Sequence, residues 1–322
     1  LAREPRVTPS DRSPPPSGLT AVFFPGQGSQ SVGMVGQWCD ANPAAAELFA
    51  RASAILGYDL AAICKNGPVD HLNTTAISQP AILVTSLAML EVLKSRADNP
   101  LGSVSMAAGL SLGEYTALVF AGSIDFDDAV RLVDVRGRAM QECAEVRPGT
   151  MLAVLGLDRE SIQTLCDQVR GGDVLALANV LCPGNCVVSG SAEACQRLAE
   201  AAEAAGAMKC VRLEVAGAFH TPMMEPAVAH LRNAIAAVTI RSPRIPVVSN
   251  VDARPHNDPA DIRRLLARQV VGVVEWQASV EYVLSVGVGS IWEVGPGRVL
   301  RGLMKRIDRS VVCSGVLDSS DP

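Results

Sequence analysis

An α/β architecture is what this sequence predicts: a parallel sheet flanked by helices, with a ferredoxin-like βαββαβ unit inserted in its middle. Three observations carry the expectation. Short apolar runs of strand length alternate with segments of helical period from residue 20 to about 145 and again after about 219. Between about 146 and 218 the order changes to strand, helix, strand, strand, helix, strand. The 322 residues are 48% hydrophobic but only 4% aromatic, so a large core can be filled and aliphatic side chains must fill it. The expected division is a leader over 1–18, a main domain built from 19–145 and 219–322, and a small domain over 146–218.

Each element follows from a local signal. The leader, LAREPRVTPSDRSPPPSG, holds five prolines and no apolar period, and reads as disordered. Arg3, Arg6 and Arg12 among Ser and Thr suit the remnant of an organelle transit peptide, Glu4 and Asp11 run against it, and a cloning boundary explains it equally well. Residues 20–24 form a β-type run closed by Pro25-Gly26, and 81–94 have helical apolar spacing. Residues 104–108 read as a buried strand, followed by a sharp turn at 109–113 and a helix opening near Glu114. In the inserted unit the strands are 151–155, 174–178, 186–189 and 211–215, and the helices 159–169 and 192–205. Beyond it, 247–249 and 291–294 are strands, while Asp258-Pro259 supplies an N-cap and an N1 proline for a helix running to Gln269.

Composition narrows the partners. Twenty-eight basic against 33 acidic residues give a net charge of −5, which argues against a nucleic-acid binder. The nine cysteines, at 39, 64, 143, 166, 182, 186, 195, 210 and 313, form no CxxC pair and no zinc-ligand spacing, which suits a reducing compartment. Cys182 and Cys186 flank the turn Pro183-Gly184-Asn185 and read as two small buried residues. No run of about 18 apolar residues is present, so no membrane span is expected.

Gly109-Leu110-Ser111-Leu112-Gly113 fits the G-x-S-x-G elbow, in which small flanking residues allow a strained strand-to-helix turn to expose a serine at a helix N-terminus. A strand before it and a helix after it imply an α/β-hydrolase-like core. The Leu112 amide would then face a developing oxyanion. Serine needs a base, and the chain has four histidines: His71, His220, His230 and His256. His220 is the best candidate, because it closes a strand-to-loop passage, Val215-Ala216-Gly217-Ala218-Phe219-His220, whereas His230 lies on a polar helix and His256 in a turn.

Five segments occur together and in order: Phe23-Phe24-Pro25-Gly26-Gln27-Gly28-Ser29-Gln30, Gly109-Leu110-Ser111-Leu112-Gly113-Glu114-Tyr115, Val135-Arg136-Gly137-Arg138-Ala139-Met140-Gln141, Gly217-Ala218-Phe219-His220 and Glu293-Val294-Gly295-Pro296-Gly297. In this the chain resembles the malonyl-CoA:acyl-carrier-protein transacylases over about residues 20 to 310. The segments 179–185 and 240–253 are most similar to plastid-type members, which implies a plastid stroma, with a mitochondrial matrix or a bacterial-type cytoplasm as alternatives. Leu110 stands where many members have histidine, and plastid-type relatives share the leucine.

The resemblance implies roles residue by residue. Ser111 is the acylated nucleophile, His220 its base, Gln27 and the Leu112 amide the oxyanion hole, and the backbone carbonyl of Gln269 the group that orients the histidine. Arg136 binds the malonyl carboxylate, which suits a planar guanidinium; read without the resemblance it is a surface helix arginine like Arg131 and Arg138. Met140, Phe219 and Asn179 join it as substrate-binding residues, and the Phe219 ring would exclude a branched acyl unit. The implied substrates are malonyl-CoA and acyl carrier protein, with no metal and no cofactor.

Acyl carrier proteins are acidic, so a basic docking face is expected. Arg298, Arg301, Lys305 and Arg309 fall three, four and four apart, along one side of a helix. An ordinary solvated helix face explains the same spacing. Two other functions are compatible with the elbow: an α/β-hydrolase-type esterase, and a non-catalytic carrier-protein-binding scaffold. The 102 residues after His220 fit the esterase poorly. Retention of Gln27, Ser111, Arg136 and His220 together speaks against the scaffold.

Overall fold

Two sheets organise the chain, one wholly parallel and one wholly antiparallel. The computed structural model describes residues 18–97 and 99–316, so the expected leader lies outside the described residues up to residue 17. In chain order the elements are β1 (Leu19–Phe24), α1 (Gln37–Asp40), α2 (Pro43–Leu56), α3 (Leu60–Asn66), α4 (Val69–Asn73), α5 (Thr75–Ser95), β2 (Val104–Gly109), α6 (Leu112–Phe120) and α7 (Phe126–Val146). Then come β3 (Thr150–Leu155), α8 (Arg159–Val169), β4 (Leu175–Cys182), β5 (Asn185–Gly190), α9 (Ala192–Ala204) and β6 (Lys209–Arg212). The chain finishes with α10 (Glu225–Ala237), β7 (Val247–Val248), α11 (Pro259–Gln269), α12 (Trp276–Ser285), β8 (Val288–Glu293), α13 (Val299–Ile307) and β9 (Val312–Gly315).

The first sheet has the order β7-β2-β1-β8-β9 with every pair parallel. Such a sheet needs both faces covered. The central strand β1 does this by alternation: Val22 and Phe24 enter one core, Ala21 and Phe23 the other, where Phe23 meets Trp276 edge-on at 5.2 Å. The register pairs Phe24 with Gly109, so β1 and β2 deliver their carboxyl ends to the same edge. In open α/β sheets that edge is where sites form.

Helix α5 is the core helix of the larger layer. It begins at Thr75, six residues before the expected start, with Pro80 tolerated inside it. By length and mean hydropathy of 1.6 it could cross a membrane, but 83% of that stretch is buried inside the protein. It packs against α7, whose Gly137 has no room for a Cβ: one would sit 2.7 Å from the Thr75 carbonyl oxygen. The buried stripe of α7 runs Val130, Val133, Arg136, Gly137, Met140 and Cys143 at helical spacing, while Arg131 and Arg138 face solvent. Arg136 is therefore not a surface arginine. It occupies an apolar position.

The second sheet, in the order β4-β5-β3-β6, is antiparallel throughout. Helices α8 and α9 supply Ile162, Cys166, Ala194, Leu198 and Ala202 to a core shared with Leu152 and Val154. Helix α8 keeps the bounds read from sequence because Asp158 caps it, accepting from the Ser161 amide at 2.8 Å. Between β4 and β5 the turn is Pro183-Gly184, with Gly184 at φ 65°; Cys182 and Cys186 are buried on either side and all nine cysteines are free thiols. Strand β4 ends four residues later than expected because β5 continues to pair with it as far as Cys182. Strand β6 is displaced the other way. It pairs with β3 only over Lys209–Arg212, and after the Leu213 amide bonds to the Met151 carbonyl the chain turns out of the sheet toward His220.

Candidate active site

The elbow is built by close backbone contact. Ser111 takes φ 51° and ψ −100°, a conformation that costs a non-glycine residue about 1–3 kcal/mol. Its neighbours must be glycine: a Cβ on Gly109 would strike the Gly113 carbonyl, and one on Gly113 would strike the carbonyls of Phe24 and Pro25. The Leu110 amide donates to the Phe24 carbonyl at 3.0 Å, which binds the turn to the end of β1 and sets the segment carrying Gln27 beside it. Helix α6 starts at Leu112, two residues earlier than expected, so the Leu112 amide is an N1 donor with no carbonyl of its own helix to meet. Gln27 Nε2 donates to Thr75 Oγ1 at 3.4 Å.

His220 faces this elbow, also in the left-handed region at φ 61° and 5% exposed. Its Nδ1 lies 2.8 Å from the Gln269 carbonyl, an acceptor only, so Nδ1 carries the proton and Nε2 is left to accept from Ser111 Oγ at 2.9 Å. Burial, with the positive Arg136 adding to it, lowers its pKa to about 4. The imidazole is thus neutral at physiological pH.

Arg136, 2% exposed, reaches the same serine. Nη2 donates to Ser111 Oγ and to Gln269 Oε1, both at 3.0 Å, and Nη1 to Gln79 Oε1 at 2.7 Å. The guanidinium carbon lies 5.4 Å from the centre of the Tyr115 ring, and Nε meets no acceptor among the described residues. Burial lowers its pKa, with Tyr115 and Glu114 opposing.

The structure adds residues that the sequence reading did not single out. Glu114, on the first turn of α6 and 3% exposed, accepts from Gln269 Nε2 at 2.7 Å and from the Asn250 amide at 3.0 Å. Burial pushes its pKa up to about 7 although these donors favour the anion. Asn250, just past β7, bonds to the elbow itself. A carboxylate in the otherwise apolar opening of α6 was the available signal for Glu114. Gln79 carried none, since an amide inside an apolar helix looks the same whether or not it holds an arginine.

The remaining expected residues fall around this centre. Met140 is buried one turn beyond Arg136, and its Sδ accepts from Gln79 Nε2 at 3.6 Å. Phe219 is buried beside His220. Asn179 lies on β4, where the flanking residues Ala178 and Val180 exchange backbone hydrogen bonds with Val274 in the segment after α11. His71 and His230 are exposed, and His256 pairs with Asp252 at 2.9 Å. The expected basic stripe is interrupted at Arg301, whose side chain is 14% exposed and bonds through Nε to buried Glu293 at 3.1 Å. Glu293 also accepts from the Leu300 and Arg301 amides, so Arg301 helps to anchor α13 and is not presented to a partner. Arg298, Lys305 and Arg309 are exposed.

An α/β frame that holds a serine between a neutral imidazole and a guanidinium is the equipment of an enzyme that carries an acyl group on serine. Comparison with known proteins agrees: the family model described as the acyl transferase domain matches residues 22–307, and the chain belongs to that family. It is 43% identical over 300 residues to the malonyl CoA-acyl carrier protein transacylase of Escherichia coli (strain K12), covering 93% of this chain and 96% of that one. The mitochondrial malonyl-CoA-acyl carrier protein transacylase of Homo sapiens is 38% identical over 302 residues, covering 90% of this chain and 77% of that protein. Among solved structures, the malonyl CoA-acyl carrier protein transacylase of Coxiella burnetii superposes with a TM-score of 0.89 at 38% identity and 94% coverage of both chains.

Proposed function

We propose that this protein moves a malonyl group from coenzyme A to the phosphopantetheine thiol of acyl carrier protein, for fatty-acid synthesis, through an ester on Ser111. The observation that carries the reading is the contact of one hydroxyl, Ser111 Oγ, with both His220 Nε2 at 2.9 Å and Arg136 Nη2 at 3.0 Å. His220 takes the serine proton as Oγ attacks the thioester carbonyl, and the oxyanion is met by the Leu112 amide and Gln27. The tetrahedral adduct expels the coenzyme A sulfur, which takes the proton from His220. In the second half His220 deprotonates the carrier thiol, whose sulfur attacks the ester carbonyl; the adduct collapses by breaking the bond to Ser111 Oγ, which takes the proton back from His220. A thiol of pKa about 8.5 departs without a Lewis acid, so the route needs neither metal nor redox cofactor.

Arg136 is suited to the malonyl carboxylate. Nη2 loses its bond to Ser111 Oγ when that oxygen is acylated, and Nε meets no acceptor among the described residues; together they form one edge of the guanidinium, which matches two carboxylate oxygens. Met140 and Asn179, both buried, are assigned with it to the acyl position, and the buried Phe219 ring beside His220 is assigned the exclusion of an α-methyl branch. Carrier protein docks on the exposed basic residues Arg298, Lys305 and Arg309, the first of which follows Gly297, packed against Ser29 of the Gln27 loop. The similarity of 179–185 and 240–253 to plastid-type members favours a plastid stroma, which co-localisation with a plastid marker decides.

Intact-mass spectrometry after brief mixing with malonyl-CoA tests the central claim. One malonyl adduct on Ser111, absent in Ser111→Ala and discharged by holo carrier protein, is the expected result; no adduct and no release of coenzyme A ends the reading. Charge reversal at Arg298 and Lys305 should raise the KM for carrier protein and leave the malonyl-CoA half-reaction alone. An unchanged KM removes the docking face.

A further inference from the structure

We infer that Asn250 is the positioning residue of the nucleophile, holding the strained Ser111 backbone through both of its carboxamide atoms. This rests on the reading that Ser111 is the acylated residue. Asn250 is wholly buried and lies 139 residues from the elbow in sequence. Its Oδ1 accepts from the Ser111 amide at 2.6 Å, and its Nδ2 donates to the Gly109 carbonyl at 2.8 Å. The donor and acceptor order admits only one orientation of the amide, because the flipped group would set N–H against N–H and oxygen against oxygen. Its own amide donates to Glu114 Oε2 at 3.0 Å, on the first turn of the helix that the elbow opens. All three polar groups that Asn250 directs at the elbow are therefore matched, at residues 109, 111 and 114.

The consequence is geometric. The Ser111 carbonyl accepts from the Glu114 amide at 3.2 Å and from Gln269 Nε2 at 3.0 Å, while its amide is held by Asn250; at φ 51°, a turn released on that amide side swings Oγ away from His220 Nε2 and re-aims the Leu112 amide. The two effects act on nucleophile and oxyanion hole alike, whatever acyl group arrives. Asn250 does not touch substrate; it sets where the atoms that do are found.

Single-turnover loading of malonyl-CoA and acetyl-CoA by wild type, N250A and N250D tests this. N250A should slow both substrates by the same factor, about ten- to a hundredfold, with half-saturating concentrations unchanged. N250D carries its own control: ionised, it repels the Gly109 carbonyl; protonated, it reproduces the donor and acceptor of asparagine. Its rate relative to wild type should rise as pH falls. The neighbouring titratable groups, Glu114 on α6, Arg136 on α7 and His220 before α10, are common to both proteins, so the ratio isolates the introduced carboxyl. N250A loading within about threefold of wild type, or an N250D ratio that is flat with pH, overturns the proposal. Should neither variant fold, exchange of the Asn250 carboxamide protons in the wild type decides: protection close to global unfolding supports the clamp, and exchange at open rates overturns it. A wild type that forms no Ser111 adduct fails the transacylase reading instead, so the two failures are distinguishable.

Discussion

Arg136→Lys separates the charge of the buried arginine from its shape. The guanidinium holds three acceptors at once, Gln79 Oε1, Ser111 Oγ and Gln269 Oε1, at 2.7 to 3.0 Å, in a place where the side chain is 2% exposed and water does not substitute. An ammonium presents a single point where the Nη2–Nε edge offers the malonyl carboxylate two donors, so at least one charge-assisted bond to the substrate is lost, worth about 1.5–3 kcal/mol. At about 1.4 kcal/mol per factor of ten, kcat/KM for malonyl-CoA should fall about ten- to a hundred-and-fifty-fold. Acetyl-CoA has no carboxylate to place and should change by no more than about threefold. The assay is stopped-flow release of coenzyme A with each substrate in turn, alongside urea unfolding to confirm the fold. Equal losses for both substrates would refute the assignment of Arg136 to the carboxylate and leave it a purely structural part of the site.

Two further outcomes follow from burial. His220, with a pKa of about 4 folded against 6.5 ordinarily, binds its proton only in the unfolded chain between those values, so its contribution to stability is lost as pH falls from about 6.5 to 4. Glu114, at about 7 against 4.5, holds its proton only in the folded chain, so its contribution is present below about 4.5 and lost as pH rises through 7. The slopes oppose, and wild-type urea stability should be nearly level from about pH 6.5 to 4.5, whereas Glu114→Gln should expose a loss of up to about 1.4 kcal/mol per pH unit on acidification; a level profile in that variant contradicts the assignment. Gly113→Ala forces a Cβ into the Phe24 carbonyl, and should leave little folded protein by circular dichroism at 37 °C; a variant that melts like wild type would show that the elbow is looser than its contacts.

Legibility followed the range of the interaction. The elbow glycines, the Asp258 cap and the β-type run of β1 depend on residues a few positions apart, and their turn residues and composition were visible in the chain. Ser111 and His220 were expected together because few histidines compete and the family motifs carry both, and folding sets them 2.9 Å apart. Arg136 is harder: the apolar stripe Val133-Arg136-Met140 marks it as buried, yet its charge favours the opposite reading. Arg301 misled for the converse reason, since its spacing puts it on the basic side of α13 while Glu293, eight residues upstream, turns it inward.

Sequence alone determined the α/β class and the strained serine turn, because sterics, helical period and residue chemistry act locally. The tertiary structure decided what those groups meet. Only folding brings the Gln269 carbonyl to His220 across 49 residues, Gln79 to Arg136 across 57 and Asn250 to Ser111 across 139. A hydrogen bond is directional and ends within about 3.2 Å, so no spacing along the chain encodes its partner; the packing of α5, α6, α7 and α11 around the carboxyl edge of the parallel sheet does.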